Sequence, residues 1–256
     1  MRVSSAGRPL PGILVGHHEP IFDALPGNVL DNFRRPGSEN ALLWNKLYPP
    51  SRSGLYLQEL MNLPPIWGTP GLQMEDEALE AYFWGYRSEG DRLEGLDEAL
   101  DLVDGAGPRT EVDLFLLGPG QLIAAEVKRG SSFGRCSRYN RQLCPAVHEP
   151  GLGSSSCRYW HDAAARFENQ LTFEVPEPGR RPSCDRHYQL ARTLLVGQHL
   201  AESLGRQFHL WVVTPRRRWR SLERTWLDFA HRVKDPETWR RMRVLAWEEL
   251  EGLPVR

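Results

Sequence analysis

The stretch RTEVDLFLLGPGQLIAAEVKRG, residues 109–130, decides how the rest of the chain is read. Two short apolar runs, Val112–Leu117 and Leu122–Val127, flank Gly118-Pro119-Gly120. Runs of that length around a Gly/Pro turn predict a β-hairpin. Asp113 interrupts the first run, and Glu126 and Lys128 mark the end of the second. Side chains alternate along a strand, so Glu126 and Lys128 share a face. With a four-residue loop, Gly118–Gln121, Asp113 falls opposite Glu126. Opposed β-carbons lie roughly 4.5–5.5 Å apart, and two bare carboxylates that close repel unless a cation sits between them. Mg²⁺, which takes one or two protein carboxylates with water and phosphate, answers that need. Lys128 is then placed to hold an attacking water and, as a residue of a shallow site, to contribute little to packing. The same residues also suit a hairpin with a solvated, salt-bridged face.

Composition sharpens the reading of Lys128. The chain has 32 Lys and Arg residues, and Lys46, Lys128 and Lys234 are its lysines. In a sequence so biased to arginine, a lysine here points to a need for an ammonium rather than a guanidinium, which cannot give up its proton.

Asp113, a hairpin turn and Glu126-Val127-Lys128 resemble the motif of the PD-(D/E)XK nuclease superfamily, the restriction-endonuclease-like fold. Val112 stands where the motif has its proline. The resemblance implies an α/β fold with an αβββαβ core, a mixed central sheet flanked by helices. It also implies a metal-dependent nuclease that hydrolyses phosphodiester bonds, in DNA rather than RNA, with Mg²⁺ or Mn²⁺. Asp113 and Glu126 would be metal ligands and Lys128 the water-orienting residue. In the superfamily the first core helix often adds a carboxylate, and the helix after the Glu-x-Lys strand a Gln or a base. Asn40–Asn45 further resembles an Asn-x-Leu-x-Trp-Asn lead-in found in some such proteins.

The remaining elements follow from periodicity. Leu79, Tyr82, Phe83 and Tyr86 recur at helical steps and predict an amphipathic helix over Met74–Tyr86. Glu80, at the edge of that stripe, is the candidate for the extra carboxylate, with Glu75 and Asp76 as rivals; such acids also simply favour a helix N-terminus. Asn32 to Leu47 predicts a helix ended by Pro49-Pro50, and Leu93–Val103 reads as helical. Cys184–Leu204 predicts a long helix, capped by Ser183 or Asp185 and stopped by Gly205. It carries Gln189 near its start, the match to the superfamily Gln, with Thr193 four places on. Gln207–Val213 is apolar on both faces, as a covered central strand is. Arg216, Arg217, Arg218 and Arg220 follow with Trp219 interleaved, a pattern suited to phosphate contact and base stacking as well as to a solvated turn. Leu222–Val233 predicts a helix, Asp235-Pro236 starts another, and Val244–Trp247 reads as a last strand.

The 256 residues suit one large domain: an irregular, Gly/Pro-rich arm over 1–72 packed on a core over 73–256, with an insertion at 130–183. Net charge is −1, so no globally basic coat is present. Charge is segregated, however: Met74–Asp104 has 2 bases and 11 acids, 2 − 11 = −9, whereas Arg206–Leu245 has 11 bases and 4 acids, 11 − 4 = +7. That permits nucleic acid to approach one face. No apolar run is long enough to span a bilayer, and Pro9, Pro11, His17 and His18 break up any signal-peptide core. A soluble, cytoplasmic protein is expected.

In that compartment Cys136, Cys144, Cys157 and Cys184 are expected to be thiols or metal ligands rather than disulfides. The spacing, C-x7-C-x12-C-x26-C, has no CxxC pair, and His148, His161 and His187 follow three of them. A 4Fe–4S cluster, zinc or unligated thiols are the alternatives. Some superfamily members, among them the CRISPR-associated adaptation exonucleases, hold such a cluster with one cysteine upstream of the nuclease motif; here all four are downstream. Two further functional classes stay open: a non-catalytic nucleic-acid-binding protein of the same fold, and a metal- or redox-sensing protein built on the cysteines.

Overall fold

The computed structural model describes residues 12, 14–35, 37–70, 72, 74–148, 157–177 and 179–250. Most of the Gly/Pro-rich leader, including Pro9 and Pro11, lies outside the described residues.

The chain forms an α/β structure around one seven-stranded mixed sheet. In chain order the strands are β1 (Leu55–Tyr56), β2 (Trp67–Gly68), β3 (Ala78–Phe83), β4 (Leu114–Leu117), β5 (Gln121–Val127), β6 (Gln207–Thr214) and β7 (Arg243–Ala246). Their order across the sheet is β1-β3-β4-β5-β6-β7-β2. The pairs from β1 to β5 are antiparallel, β5–β6 and β6–β7 parallel, and β7–β2 antiparallel. Six helices matter for the site: α1 (Gly27–Phe33), α2 (Glu39–Ser53), α3 (Leu96–Asp104), α4 (Tyr188–Leu204), α5 (Trp219–Ala230) and α6 (Pro236–Arg240). Among the described residues, no helix is long and apolar enough to cross a membrane.

The sheet is buried on both faces, which is why β5 and β6 read as near-continuous apolar runs. One face, with Tyr82, Phe115, Leu122, Ala124, Leu210 and Val212, packs on α3, α4 and α5. The other, with Leu79, Phe83, Leu116, Ile123, Ala125 and Val213, packs on the helices of residues 21–62, centred on Trp44 and Phe33. Ile21–Ala24 and α1 are thus helical where an irregular arm was expected. Arg243 on β7 is 1% exposed. Its guanidinium donates to the carbonyls of Met61 and Leu63 and ties this helical layer to the sheet.

The segment Met74–Tyr86 is not a helix: β3 occupies its middle. Leu79, Ala81 and Phe83 face one core and Tyr82 the other, so the alternation is that of a strand. The aromatic residues favour a pleated surface, and pairing with both β1 and β4 overrides the coincidental helical spacing. A two-residue turn then reverses the chain, with Trp84 (φ 52°) and Gly85 (φ 83°) both left-handed. Trp84 tolerates that conformation because its ring is buried against Phe33.

The prolines do not end the second helix either. α2 runs through Pro49 and Pro50 to Ser53; Pro50 is buried, and the hydroxyls of Ser51 and Ser53 donate to the carbonyls of Tyr48 and Pro49 in that last turn. The expected caps of the 184–204 helix are also modified. A short turn, Ser183–Arg186, precedes α4 with no side-chain cap, and Gly205 (φ 64°) closes α4 as expected. Asp235 caps α6, accepting from the amides of Glu237 and Thr238. The described parts of 130–183 carry little regular structure, yet Phe133, Trp160, Phe167, Leu171 and Phe173 anchor them in the core.

α4 lies very close to β6. A Cβ built on Gly197 would come within 2.1 Å of the Phe208 ring, so only glycine permits this approach. Gln189, Thr193 and Gly197 are spaced by four residues and share one face of α4.

Candidate active site

The β4–β5 hairpin turns through Gly118–Gln121, with the Gly118 amide donating to the Gln121 carbonyl at 2.9 Å. Leu114 pairs with Ala125, and one further step sets Asp113 against Glu126 as the sequence register requires. The Asp113 carboxylate accepts from the Val127 amide at 2.8 Å. Its own carbonyl accepts from the Trp84 amide at 3.0 Å, so the left-handed turn after β3 fixes this end of the hairpin.

Glu126 is fully buried. One carboxylate oxygen accepts from the Thr193 hydroxyl at 2.6 Å, and the other from the Gln189 amide. The Lys128 ammonium lies 3.6 Å from that second oxygen. The Gln189 carbonyl in turn accepts from the Gly134 amide at 2.8 Å. Asp113, Glu126, Lys128 and Gln189, four residues from three elements, are therefore brought together. Lys128 is 6% exposed, more enclosed than a shallow site would leave it. Thr193 completes the group; its sequence signal is only that it stands one helical turn after Gln189.

Burial and the neighbouring carboxylate push Glu126 up to about 7, and Lys128 offsets this only in part. Burial pushes Asp113 up as well. Burial opposes the Lys128 charge, but Glu126, Asp113 and Glu39 outweigh it and hold its pKa above the ordinary value.

Glu80 is not part of this site. It faces Leu117, at the turn end of the hairpin, three residues along the strand from the Phe83–Leu114 pair and so roughly 10 Å away. Its carboxylate accepts from Tyr82 and pairs with Arg87. Asp76 accepts from the Gln58 amide and is likewise remote. The helical carboxylate at the site is Glu39, the first residue of α2, behind the Ser38 cap. It accepts from the amides of Arg129, Gly130 and Ser131. Burial raises its pKa, but these amides and Lys128 outweigh that and hold it below the ordinary value.

Two clefts share Asn32, Glu39 and Asn40. One, of about 370 Å³, opens over Asp113, Gln189 and Arg192; the other, of about 640 Å³, is lined by Arg35, Arg129, Ser131 and Arg217. Among the described residues no carboxylate forms an ion pair with Arg35, Arg129 or Arg217. The basic run is thus divided. Arg217 is exposed in the cleft and Arg220 is exposed beyond it, whereas Arg216 pairs with Glu249 and Arg218 donates to the Gly130 carbonyl.

The four cysteines are free thiols. Cys184 and Cys144 are buried, and the Cys136 amide donates to the Asp185 carbonyl. Burial pushes Cys184 up to about 12, and Cys157, Cys136 and Cys144 add to this. Burial likewise raises Cys157 to about 11, with Cys144 and Cys136 contributing, and raises Cys136, with Cys144 contributing. The histidines have other partners or positions: His187 bonds Asp228, His148 accepts from the Cys144 amide, and His161 is exposed.

Among the described residues no group of three or more His, Cys, Asp or Glu is already arranged around a metal position. The chemistry of the Asp113–Glu126 pair nevertheless fits a hard divalent cation, because two adjacent carboxylates with raised pKa values are relieved by such an ion. Compared with known proteins, the chain matches no family model, no curated protein and no solved structure.

Proposed function

We propose that the protein is a metal-dependent nuclease that hydrolyses phosphodiester bonds, in DNA. The observation that carries this reading is the convergence of Asp113, Glu126 and Lys128, with Asp113 lining one cleft and, in the adjoining cleft, Arg35, Arg129 and Arg217, which have no carboxylate ion pair among the described residues. With β1, β2 and the intervening α3 set aside, the succession α2, β3, β4, β5, α4, β6 lends support to the αβββαβ core that the sequence resemblance implies.

Asp113 and Glu126 would hold Mg²⁺ or Mn²⁺, which when bound supplies Lewis acidity and positive charge at the scissile phosphate. Gln189 and Thr193 fix both oxygens of Glu126, so the carboxylate needs no reorganisation during reaction. The Lys128 ammonium orients the attacking water from the same face. Arg35, Arg129 and Arg217 hold the polyanionic backbone without reading bases. Incubation of the protein with linear, circular and single-stranded DNA tests the proposal. Cleavage is expected with Mg²⁺ and none with chelator; no cleavage of any substrate with either Mg²⁺ or Mn²⁺ sinks it.

The division of the basic run gives a specific expectation. Arg217→Ala should lower the dependence of log affinity on log salt by about one unit, since one phosphate contact is lost. Arg216→Ala, whose guanidinium is already paired, should leave that slope unchanged. Equal slopes for both variants would remove Arg217 from the interface.

Cys136, Cys144, Cys157 and Cys184 are the candidate ligands for a 4Fe–4S cluster, with zinc as the alternative, since four thiolates suit either. Anaerobically purified protein is expected to be brown and to contain iron. Cys184→Ser should lose the iron. Protein free of iron and zinc by elemental analysis would leave the four as ordinary thiols.

A further inference from the structure

Lys128 is followed by three consecutive residues whose amides all point to one spot. Arg129, Gly130 and Ser131 donate to a single oxygen of Glu39 at 2.7, 3.1 and 3.1 Å, and the Ser131 hydroxyl lies 2.9 Å from each of its oxygens. Successive amides converging in this way form an anion-binding concavity. The spot lies in the larger cleft, which Arg35, Arg129 and Arg217 also line. A Cβ on Gly130 would meet nothing within 4 Å, so there is open space beside the loop at that residue. The Arg218 guanidinium holds the Gly130 carbonyl at 2.6 Å and keeps the loop in shape from behind.

We propose that the Arg129–Ser131 amides and the Ser131 hydroxyl form a cradle for a phosphate anion, which the Glu39 carboxylate occupies in the free protein and vacates when a nucleic-acid strand enters. A carboxylate and a phosphodiester present oxygens of the same kind to N–H donors, and the surplus of guanidinium charge favours the polyanion. The cradle begins one residue after Lys128, so the phosphate it takes neighbours the one to be cleaved. This deepens the nuclease reading and rests on it for the identity of the ligand as a nucleic-acid backbone. Glu39 thereby acts as an internal competitor that must be displaced.

The test uses the full chain with chelator present, so cleavage plays no part. Thermal unfolding is recorded in inorganic phosphate and in chloride at matched ionic strength, and binding is measured to a fluorescein-labelled single-stranded DNA 20-mer. Glu39→Ala is expected to gain a phosphate-dependent rise in Tm that the wild-type chain lacks. It should also bind the oligonucleotide about 10-fold more tightly, with a salt slope steeper by about one unit. Adding Ser131→Ala should reverse part of that gain. Glu39→Gln keeps an acceptor for the amides, guards against a folding failure, and should show a smaller gain of the same sign. Phosphate stabilisation of Glu39→Ala without oligonucleotide binding by any variant would keep the cradle and sink the nuclease reading. If neither Glu39 variant responds to phosphate or binds DNA more tightly, Glu39 is a structural tie between α2 and the loop, and the proposal fails.

Discussion

The Lys128→Met protein is expected to stay folded and to cleave DNA at least about 10³-fold more slowly than the wild-type chain. Removing one preorganised charge that acts on the transition state typically costs about 10²–10³-fold, and Lys128 carries two such duties. In the proposed reaction it would orient the water, and it lies 3.6 Å from a Glu126 carboxylate oxygen. Methionine keeps most of the unbranched stem, so the enclosed space around Lys128 remains filled. Its ammonium, however, is also the cation that partly offsets the Asp113 and Glu126 charges, and without it both carboxylates bind protons more readily. Arginine should not rescue the activity, because its planar, permanently charged fork neither fits the ammonium position nor yields a proton. Circular dichroism separates loss of fold from loss of chemistry. Undiminished cleavage by Lys128→Met would remove the residue from its assigned role.

In chelator, the Glu126 carboxylate is expected to cost the fold about 3 kcal/mol as pH rises from about 4.5 to about 7. Its ordinary value is 4.5 and burial beside Asp113 pushes it up to about 7. At about 1.4 kcal/mol per pH unit that shift gives the stated figure. The sign follows from proton counting. Where the unfolded chain has already lost the proton and the folded chain still keeps it, stability falls as pH rises. The contribution is complete below the unfolded value and gone above the folded one. His187 and His209, both lowered by burial, act in the opposite direction as the unfolded chain titrates near 6.5. The readout is therefore the difference between wild type and Glu126→Gln in urea unfolding at stepped pH. The variant should gain on the wild type by about 3 kcal/mol across this window, and Mg²⁺ should restore much of the wild-type loss by binding the folded state. Parallel profiles for the two proteins would show that Glu126 does not carry the penalty.

Much of this site is legible from the hairpin. A Gly/Pro turn of fixed length sets the register, and the register alone sets Asp113 opposite Glu126. Gln189 is legible through the resemblance, which implies a Gln on the helix after the Glu-x-Lys strand, and that helix is itself legible from its periodicity and its glycine stop. Glu39 is not legible, since what identifies it is a contact 90 residues away with the Arg129 amide, and local periodicity carries no information about such distances. Glu80 was a reasonable expectation from helical spacing and failed because β3 is paired on both sides. Tertiary pairing decided between two periods that four aromatic and aliphatic residues cannot distinguish. Pro49 and Pro50 mislead for a related reason: burial against the Trp44 layer holds a last helical turn that propensity alone would end. The anchoring of residues 130–183 likewise depends on single aromatic side chains, Phe133, Trp160, Phe167 and Phe173, too widely spaced to register as a pattern.

The missing side chain at Gly197 works as a mechanical stop. α4 rests on the Phe208 ring there, and the two polar side chains that grip Glu126 are carried one and two turns further along the same face. How firmly they grip is therefore set by how deep a helix can sink onto a strand. The polar groups inherit their positions from that contact and do not create them. Lineages descended from this chain could retune the reactive end by changing one bulk contact near the middle of α4, leaving every polar residue untouched.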